Sequence, residues 1–313
     1  MLKSMLWEIL LAIALFTALA ALLRFGKKCA KNSRLRPGAA RVLAVTLSAI
    51  EIFAATYGAL WFLQDMVVFN PSHSQSSWEQ MAARPDYEAI ELTVGRSARH
   101  GLLRRGAAGE SPLVLFFYAN GHNASQLMQY MESIGVWSYF NDYHCLVMDY
   151  AGYGLNDGRP SAKNLCGEAL AAYDFATALP GVTRVIVGGY SIGTGPAAFL
   201  AAHREPTGLF LLAPYANSFD LYNGVLPIFY GPMRLFVKHR FYSDRSARAV
   251  EVPVLVVASQ SDEVIPYASS KKLSACFEES TLITLHGASH NAVLFDRRTL
   301  ESIKAYLDAL ACA

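Results

Sequence analysis

Cysteine is scarce and poorly spaced for any framework. Cys29, Cys145, Cys166, Cys276 and Cys312 are odd in number and form no Cys-x-x-Cys pair. Neither a disulfide scaffold nor a zinc site is indicated, and no metal or organic cofactor is expected. Cys145 lies in an apolar run and reads as core rather than as a nucleophile. Internal repeats and low-complexity tracts are also missing, which leaves no solenoid or array to consider. Acidic residues are absent from 24–41, where Arg24, Lys27, Lys28, Lys31, Arg34, Arg36 and Arg41 cluster. The chain has 27 basic residues; less these seven, 20 stand against 25 acidic ones. That net negative remainder argues against nucleic acid as a partner.

What the chain has in excess is apolar surface. At 313 residues it is 53% hydrophobic, with a mean hydropathy of +0.24, more apolar than an ordinary soluble enzyme. Two runs account for this, Leu6 to Leu23 and Val42 to Leu63, each with a single charge, Glu8 and Glu51 respectively. Both approach the ~20 residues that a helix needs to cross the hydrocarbon core. A two-span hairpin is therefore expected over 1–63, with the basic loop 24–41 between the spans. The alternative is one span whose partner is interfacial or is cleaved after Ala18-Leu19-Ala20. Seven cations just beyond the first run oppose export of that segment, and between two spans they place the loop in the cytoplasm. Residues 64–313 would then be extracytoplasmic. Glu51 needs a partner helix or water at its depth.

Residues 64–313 suffice for one domain with a full core. Gln64 to Pro71 reads as a short strand ended by proline, and 86–105 as two edge strands turning near Gly95. Strands at 113–118, 143–150, 184–190, 208–213, 254–259 and 282–286 alternate with helices at 126–140, 162–179 and 298–310. Such a rhythm means an α/β fold with a mostly parallel sheet covered on both faces.

One stretch concentrates chemical signals. Arg-Val-Ile-Val-Gly-Gly-Tyr-Ser191-Ile-Gly-Thr-Gly runs from 184 to 195, an apolar strand that ends in glycines around a lone serine and is followed by small residues. Gly189 and Gly193 allow strand and helix to pass closely, as a nucleophile elbow requires. A serine needs a base, and the base needs a carboxylate. Asp262 follows the strand at 254–259, and His290 lies in Gly287-Ala-Ser-His290-Asn after the last strand, so the order is Ser, Asp, His. Glu263 rivals Asp262 for the acid, Asp157, Asp220 and Asp296 are further candidates, and His286 competes with His290. The oxyanion donors expected are the N–H groups of Ile192, after the nucleophile, and of Asn120, in Ala119-Asn-Gly-His-Asn123 after the strand at 113–118. His122 reads as a helix cap rather than as part of the site.

Taken together, Gln64-Asp-Met-Val-Val-Phe-Asn-Pro71, Asp149-Tyr-Ala-Gly-Tyr-Gly154, Gly189-Tyr-Ser-Ile-Gly193, Asp262-Glu-Val-Ile-Pro266 and His290-Asn291 resemble the membrane-anchored α/β-hydrolases of the serine hydrolase superfamily. The similarity is to the branch that holds the α/β-hydrolase-domain depalmitoylases and their bacterial relatives, and it runs from about Gln64 to the C-terminus. Two positions depart from the family pattern: Tyr118-Ala119 stands where the family has His-Gly, and Ser259-Gln260-Ser261 lacks the glycine usual before the acid. The resemblance implies an α/β-hydrolase fold and acyl-enzyme hydrolysis of an ester or thioester, with a membrane and a small-molecule or lipid acyl substrate as partners. A serine peptidase and a non-catalytic anchored scaffold are the alternatives. The stretch Tyr215 to Tyr242, rich in Phe and Tyr and interrupted by Pro227 and Pro232, is expected to form a short aromatic cap.

Overall fold

The computed structural model describes residues 37–225 and 227–312, together with Thr17, Ala20, Ala21, 23–28 and Lys31. Most of the expected first span, 6–23, thus lies outside the described residues. The chain divides into two units, Met1–Val68 and Phe69–Ala313.

The first unit contains α1, Pro37–Val68. Within it, Gly38–Gly58 has a mean hydropathy of 1.6 and is long and apolar enough to cross a membrane. Residues 23–28 are also helical, so Arg24, Lys27, Lys28 and Arg41 sit in helix and the basic connection is shorter than 24–41. The reason is local: Arg and Lys are good helix formers, and proline at the first position of α1 favours a helix start there. Glu51 has an ionic partner, with Lys27 Nζ 2.7 Å from its carboxylate.

One expectation fails at the junction. Residues 64–68 continue α1 and form no strand, and 69–74 are irregular, so the unit boundary falls after Val68 rather than after Leu63.

The second unit is built on one sheet. After α2 (Gln75–Ala82) come β1 (Tyr87–Val94) and β2 (Ser97–Arg104), joined at Gly95, whose φ of 64° makes the tight turn. There follow β3 (Ser111–Phe117), α3 (Ala124–Ser133), β4 (His144–Met148), α4 (Ala162–Thr177), β5 (Val182–Tyr190), α5 (Thr194–Ala201) and β6 (Gly208–Leu212). Then α6 (Ser218–Val225), β7 (Val254–Ser259), α7 (Tyr267–Ser274), β8 (Ser280–Leu285) and α8 (Arg297–Cys312) complete the unit. The eight strands lie in the order β1-β2-β4-β3-β5-β6-β7-β8. β1 and β2 are antiparallel and β2 meets β4 antiparallel, while every pairing from β4 to β8 is parallel.

The central strands are apolar throughout, because a parallel sheet is buried on both faces. β3, β6 and β7 carry Leu115, Leu211 and Val256 with no exposed surface. α5 is apolar all round and buried along nearly its whole length, as a helix packed on every side must be. The helix expected over 126–140 stops at Ser133, because Gly135 takes a φ of 73° and only a short 3-10 turn follows at Val136–Ser138.

Candidate active site

β5 delivers Ser191 to the carboxyl end of the sheet, where strand ends and following loops form crevices. Its φ is 53°, a left-handed value that a non-glycine residue rarely takes. The flanking glycines are sterically required. A methyl at Gly189 would lie 2.8 Å from both the Ala197 Cβ and the Gly193 carbonyl oxygen. One at Gly193 would lie 2.5 Å from the Phe117 carbonyl carbon. The strand, the turn and the end of β3 are thus pressed together around the serine.

Three side chains from three loops meet here. Ser191 Oγ is 2.8 Å from His290 Nε2, and His290 Nδ1 is 2.8 Å from Asp262 Oδ2. With Nδ1–H donating to the carboxylate, Nε2 is left to accept the Ser191 proton. The Asp262 carboxylate is held in place, since its Oδ1 takes N–H bonds from Val264 at 2.9 Å and Ile265 at 2.7 Å. The His290 and Asp262 side chains are only 6% and 2% exposed, so water competes little for these bonds. The Tyr190 hydroxyl donates to the His290 carbonyl at 2.7 Å, and its ring stacks on the imidazole with centroids 5.6 Å apart. Ser259 Oγ ties the acid loop to the histidine loop by donating to the Ala288 carbonyl at 2.6 Å.

The rival residues lie elsewhere in this network. Glu263 accepts the His290 backbone N–H at 2.9 Å, so it braces the loop and leaves the ring to Asp262. His286 is exposed, with its Nδ1 3.1 Å from Gln260 Oε1. Asp157 is exposed, Asp220 accepts from Ser269 and Lys272, and Asp296 accepts the Arg298 N–H at the start of α8. His122 is exposed, and the cap of α3 is Asn123, whose side chain accepts from Gln126 N. An asparagine oxygen reaches that N–H directly, which makes it the better cap.

The loop after β3 carries Asn120 beside the serine turn. Its side-chain oxygen accepts from the N–H of Asn70 at 2.6 Å and of Gly121 at 3.0 Å, and from the Tyr153 hydroxyl at 2.8 Å. Beneath the loop lies Asp149, whose role sequence reasoning missed although it quoted the segment. Its Oδ1 accepts from the Tyr118 hydroxyl at 2.9 Å and from Ala124 N at the start of α3. Complete burial pushes this carboxyl up to about 6, against the opposing pull of those two donors. Tyr118, likewise enclosed and facing Asp149, is pushed well above the ordinary phenol value. The signal that could have found the pairing is an acid at the carboxyl end of a buried strand, where no solvent is available to it.

The segment 215–242 follows β6 and holds most of its aromatics inward. Tyr215, Tyr222, Phe229, Phe236 and Phe241 are buried, and the Tyr215 hydroxyl donates to the Ile192 carbonyl at 3.1 Å. These five pack as core side chains do. Ile228, Tyr230 and Leu235 are the exposed apolar side chains of the stretch. Among the described residues no three His, Cys, Asp or Glu side chains are grouped as a metal site would need.

Residues 237–310 match the family model described as TAP-like protein. The uncharacterized protein MT2364 of Mycobacterium tuberculosis is 27% identical over 281 residues, covering 87% of this chain and 96% of its own. The human alpha/beta hydrolase domain-containing protein 17C is 28% identical over 240 residues, covering 74% and 70%. Est1E from Butyrivibrio proteoclasticus, solved with ferulic acid bound, superposes with a TM-score of 0.59 at 18% identity, over 72% of this chain and all of its own. The chain has the α/β-hydrolase fold. For an α/β-hydrolase, a serine at the turn after β5, an acid after β7 and a histidine after β8 is the expected placement of a triad.

Proposed function

We propose that the protein is a membrane-tethered serine hydrolase that cleaves carboxylic ester or thioester bonds through an acyl-enzyme. The observation that carries this is the unbroken chain from Ser191 Oγ through His290 to Asp262, with both links at 2.8 Å. Ser191 Oγ attacks the carbonyl carbon as its proton passes to His290 Nε2, and Asp262 stabilises the resulting imidazolium. The oxygen of the tetrahedral intermediate is received by the N–H groups of Ile192 and Asn120. His290 then gives the proton to the departing alcohol or thiol, leaving an ester on Ser191. Water, deprotonated by the same imidazole, attacks that ester and regenerates the serine.

The substrate class is an acyl ester or thioester of medium to long chain. The candidate span of α1 supports this reading, since a tether confines the site to a surface where amphiphilic esters concentrate. Each buried methylene stabilises binding by ~0.8 kcal/mol. The basic residues between 24 and 41 favour a cytoplasmic connection and an extracytoplasmic hydrolase unit.

The test is fluorophosphonate labelling of the full chain, followed by kcat/KM on p-nitrophenyl esters, acyl thioesters and peptides of increasing length. Ser191→Ala and His290→Ala should each abolish labelling and lower kcat by about 10⁴ or more. Undiminished turnover by Ser191→Ala would overturn the mechanism. A rate that is flat or falling with chain length would discard the lipid-like substrate, and preference for peptides would favour the peptidase alternative.

A further inference from the structure

Tyr190 is the last residue of β5 and the chain neighbour of Ser191. The sheet fixes its main chain, which pairs with Leu212 of β6, and its side chain is buried. That side chain meets the proposed base in two ways. The hydroxyl donates to the His290 carbonyl at 2.7 Å, and the phenol ring stacks on the imidazole with 25° between the planes. The strand that presents the proposed nucleophile therefore also holds the proposed base, by its main chain and by the face of its ring.

His290 needs such support. It opens a short 3-10 turn, His290–Phe295, and Ser289 before it makes no side-chain cap. Gly287 in the same loop has a φ of 85° and open space around it. The Nδ1 bond to Asp262 fixes one edge of the imidazole, but by itself it lets the ring tilt about that edge and lets the loop slide along β5. Proton transfer requires Nε2 to stay within hydrogen-bond reach of Ser191 Oγ. Glu263 restrains the other side by accepting the His290 N–H at 2.9 Å, so both polar groups of the His290 main chain end on side chains. Burial, reinforced by Asp262 and Glu263, pushes the Tyr190 hydroxyl well above the ordinary phenol value, which keeps it a hydrogen-bond donor. Among the described residues, the titratable groups that hydrogen-bond to or stack on His290 are Tyr190, at the end of β5, and Asp262 and Glu263, in the loop after β7. The two acids meet it with oxygens, and Tyr190 meets it with an aromatic face, which attracts a cation.

We propose that Tyr190 is a positioning residue for the reaction: its hydroxyl registers the His290 loop against the strand that carries Ser191, and its ring steadies the imidazole and favours the imidazolium that forms as Ser191 attacks. The inference rests on the hydrolytic reading of Ser191 and His290 and adds to it a residue outside the triad. Loss of one buried hydrogen bond between neutral groups corresponds to a factor of about three to ten. Loss of an aromatic face from a cation adds a factor of about three.

The experiment measures kcat, KM and the pH dependence of kcat/KM for the full chain on p-nitrophenyl butyrate, beside fluorophosphonate labelling rates and thermal unfolding. Tyr190→Phe keeps the ring, so kcat should fall about three- to tenfold with KM nearly constant and the acid limb of the pH profile in place. Tyr190→Leu removes ring and hydroxyl together, and kcat should fall about ten- to thirtyfold. Its acid limb should move down by about half a pH unit, because the protonated imidazole has lost a favourable neighbour. Glu263→Ala should also lower kcat, and combined with Tyr190→Phe it should cost less than the product of the two, since either change releases the same main chain. Tyr173→Phe, which removes a hydroxyl bonded to the Glu205 carbonyl, is the control and should be silent. Wild-type kcat in Tyr190→Phe, an acid limb unmoved in Tyr190→Leu, or a lowered Tm with undiminished kcat would overturn the proposal, the last by reducing Tyr190 to core packing. If Tyr190→Leu does not fold, Tyr190→Phe and its combination with Glu263→Ala decide the matter. Ser191→Ala separates the two readings: full turnover by that variant overturns the hydrolytic mechanism and this inference with it, whereas an enzyme that labels at Ser191 yet is indifferent to Tyr190 fails only the inference.

Discussion

Gly193→Ala tests whether the close approach at the serine turn sets the rate. A methyl there would overlap the Phe117 carbonyl oxygen, lie 2.5 Å from its carbon and stand 2.8 Å from the Tyr118 carbonyl oxygen. Ordinary carbon–oxygen contacts begin near ~3.3 Å, so the two segments must separate by about 1 Å. Neither partner is the flexible end of a side chain: one is the carboxyl end of β3, and the other is the turn into α5. Ile192 precedes Gly193, and Asn120 lies three residues beyond Phe117, so the forced separation displaces the two proposed oxyanion donors from each other. A misplacement of ~1 Å costs about 10²-fold, and outright loss of one donor about 10²–10³-fold. Overpacking should also lower stability by ~1–3 kcal/mol. The measurement is kcat and KM on p-nitrophenyl butyrate beside thermal unfolding. The expected outcome is a kcat lower by about two to three powers of ten, a KM changed little, and a reduced Tm. Gly109→Ala, where nothing lies within 4 Å, is the control and should be silent. A Gly193→Ala enzyme with near-normal kcat would refute the view that this contact positions the donors.

Three other outcomes follow from the same structure. Asp262→Asn should keep the fold but lower kcat by about 10⁴, because an amide at Oδ2 stabilises the wrong imidazole tautomer; a loss below tenfold would hand the orienting role to another group. Asp149 has its folded value raised from 3.8 to about 6 by burial, so the folded state holds this proton more tightly than the unfolded chain does. Its contribution is full below pH ~4 and fades as pH climbs to ~6, worth ~3 kcal/mol across that window. Urea melts from pH 4 to 7 should show that decline and Asp149→Asn should flatten it, whereas an unchanged slope would assign the decline to other groups. Arg99 Nε meets the Glu168 carboxylate at 2.6 Å with both side chains about a tenth exposed. Arg99→Met should therefore cost ~3–5 kcal/mol by stranding the acid. Pairing it with Glu168→Leu should restore most of the loss, and a cycle without that coupling would mean that solvent reaches the pair.

The sheet was legible because the central strands are short apolar runs such as Val185–Val187 and Leu209–Leu212, bounded by turn residues, and burial on both faces leaves no other reading for so regular a series. Ser191, Asp262 and His290 could be named from their order after three such strands. Residues 64–68 were misread for a related reason: a few apolar residues at the end of a long helix have the same local pattern as a strand, and only the preceding 27 residues of α1 decide between them. His122 reads as the helix cap from sequence, but the cap is Asn123, because position at the turn is not visible until the backbone is traced. Glu263 could not be given its part either. Its carboxylate serves the His290 backbone N–H across 27 positions of sequence, a contact that no spacing rule reports. The aromatics at 215–242 announce burial or a ligand surface equally well by composition, and direction alone separates Tyr215, fully enclosed, from Tyr230, exposed.

The departure at Tyr118-Ala119 has its compensation in the next strand. Tyr118 donates a hydrogen bond from its hydroxyl to Asp149 and stacks on Tyr150 with centroids 4.5 Å apart, while the Tyr150 hydroxyl returns a 2.9 Å bond to the Tyr118 carbonyl. Tyr153, on the same short loop after β4, bonds the Asn120 side chain from the other side. Three tyrosines and one buried acid thus hold both ends of the loop from Tyr118 to Asn120, and Gly154 leaves room for the Asp149 carboxyl, since any Cβ there would collide with it. A loop fixed by its side chains needs no reorganisation when charge develops at a carbonyl oxygen beside it, and that is the condition under which backbone donors stabilise a transition state most. In the proposed mechanism the Asp149-Tyr-Ala-Gly-Tyr-Gly154 segment therefore acts from beneath, through the position of Asn120.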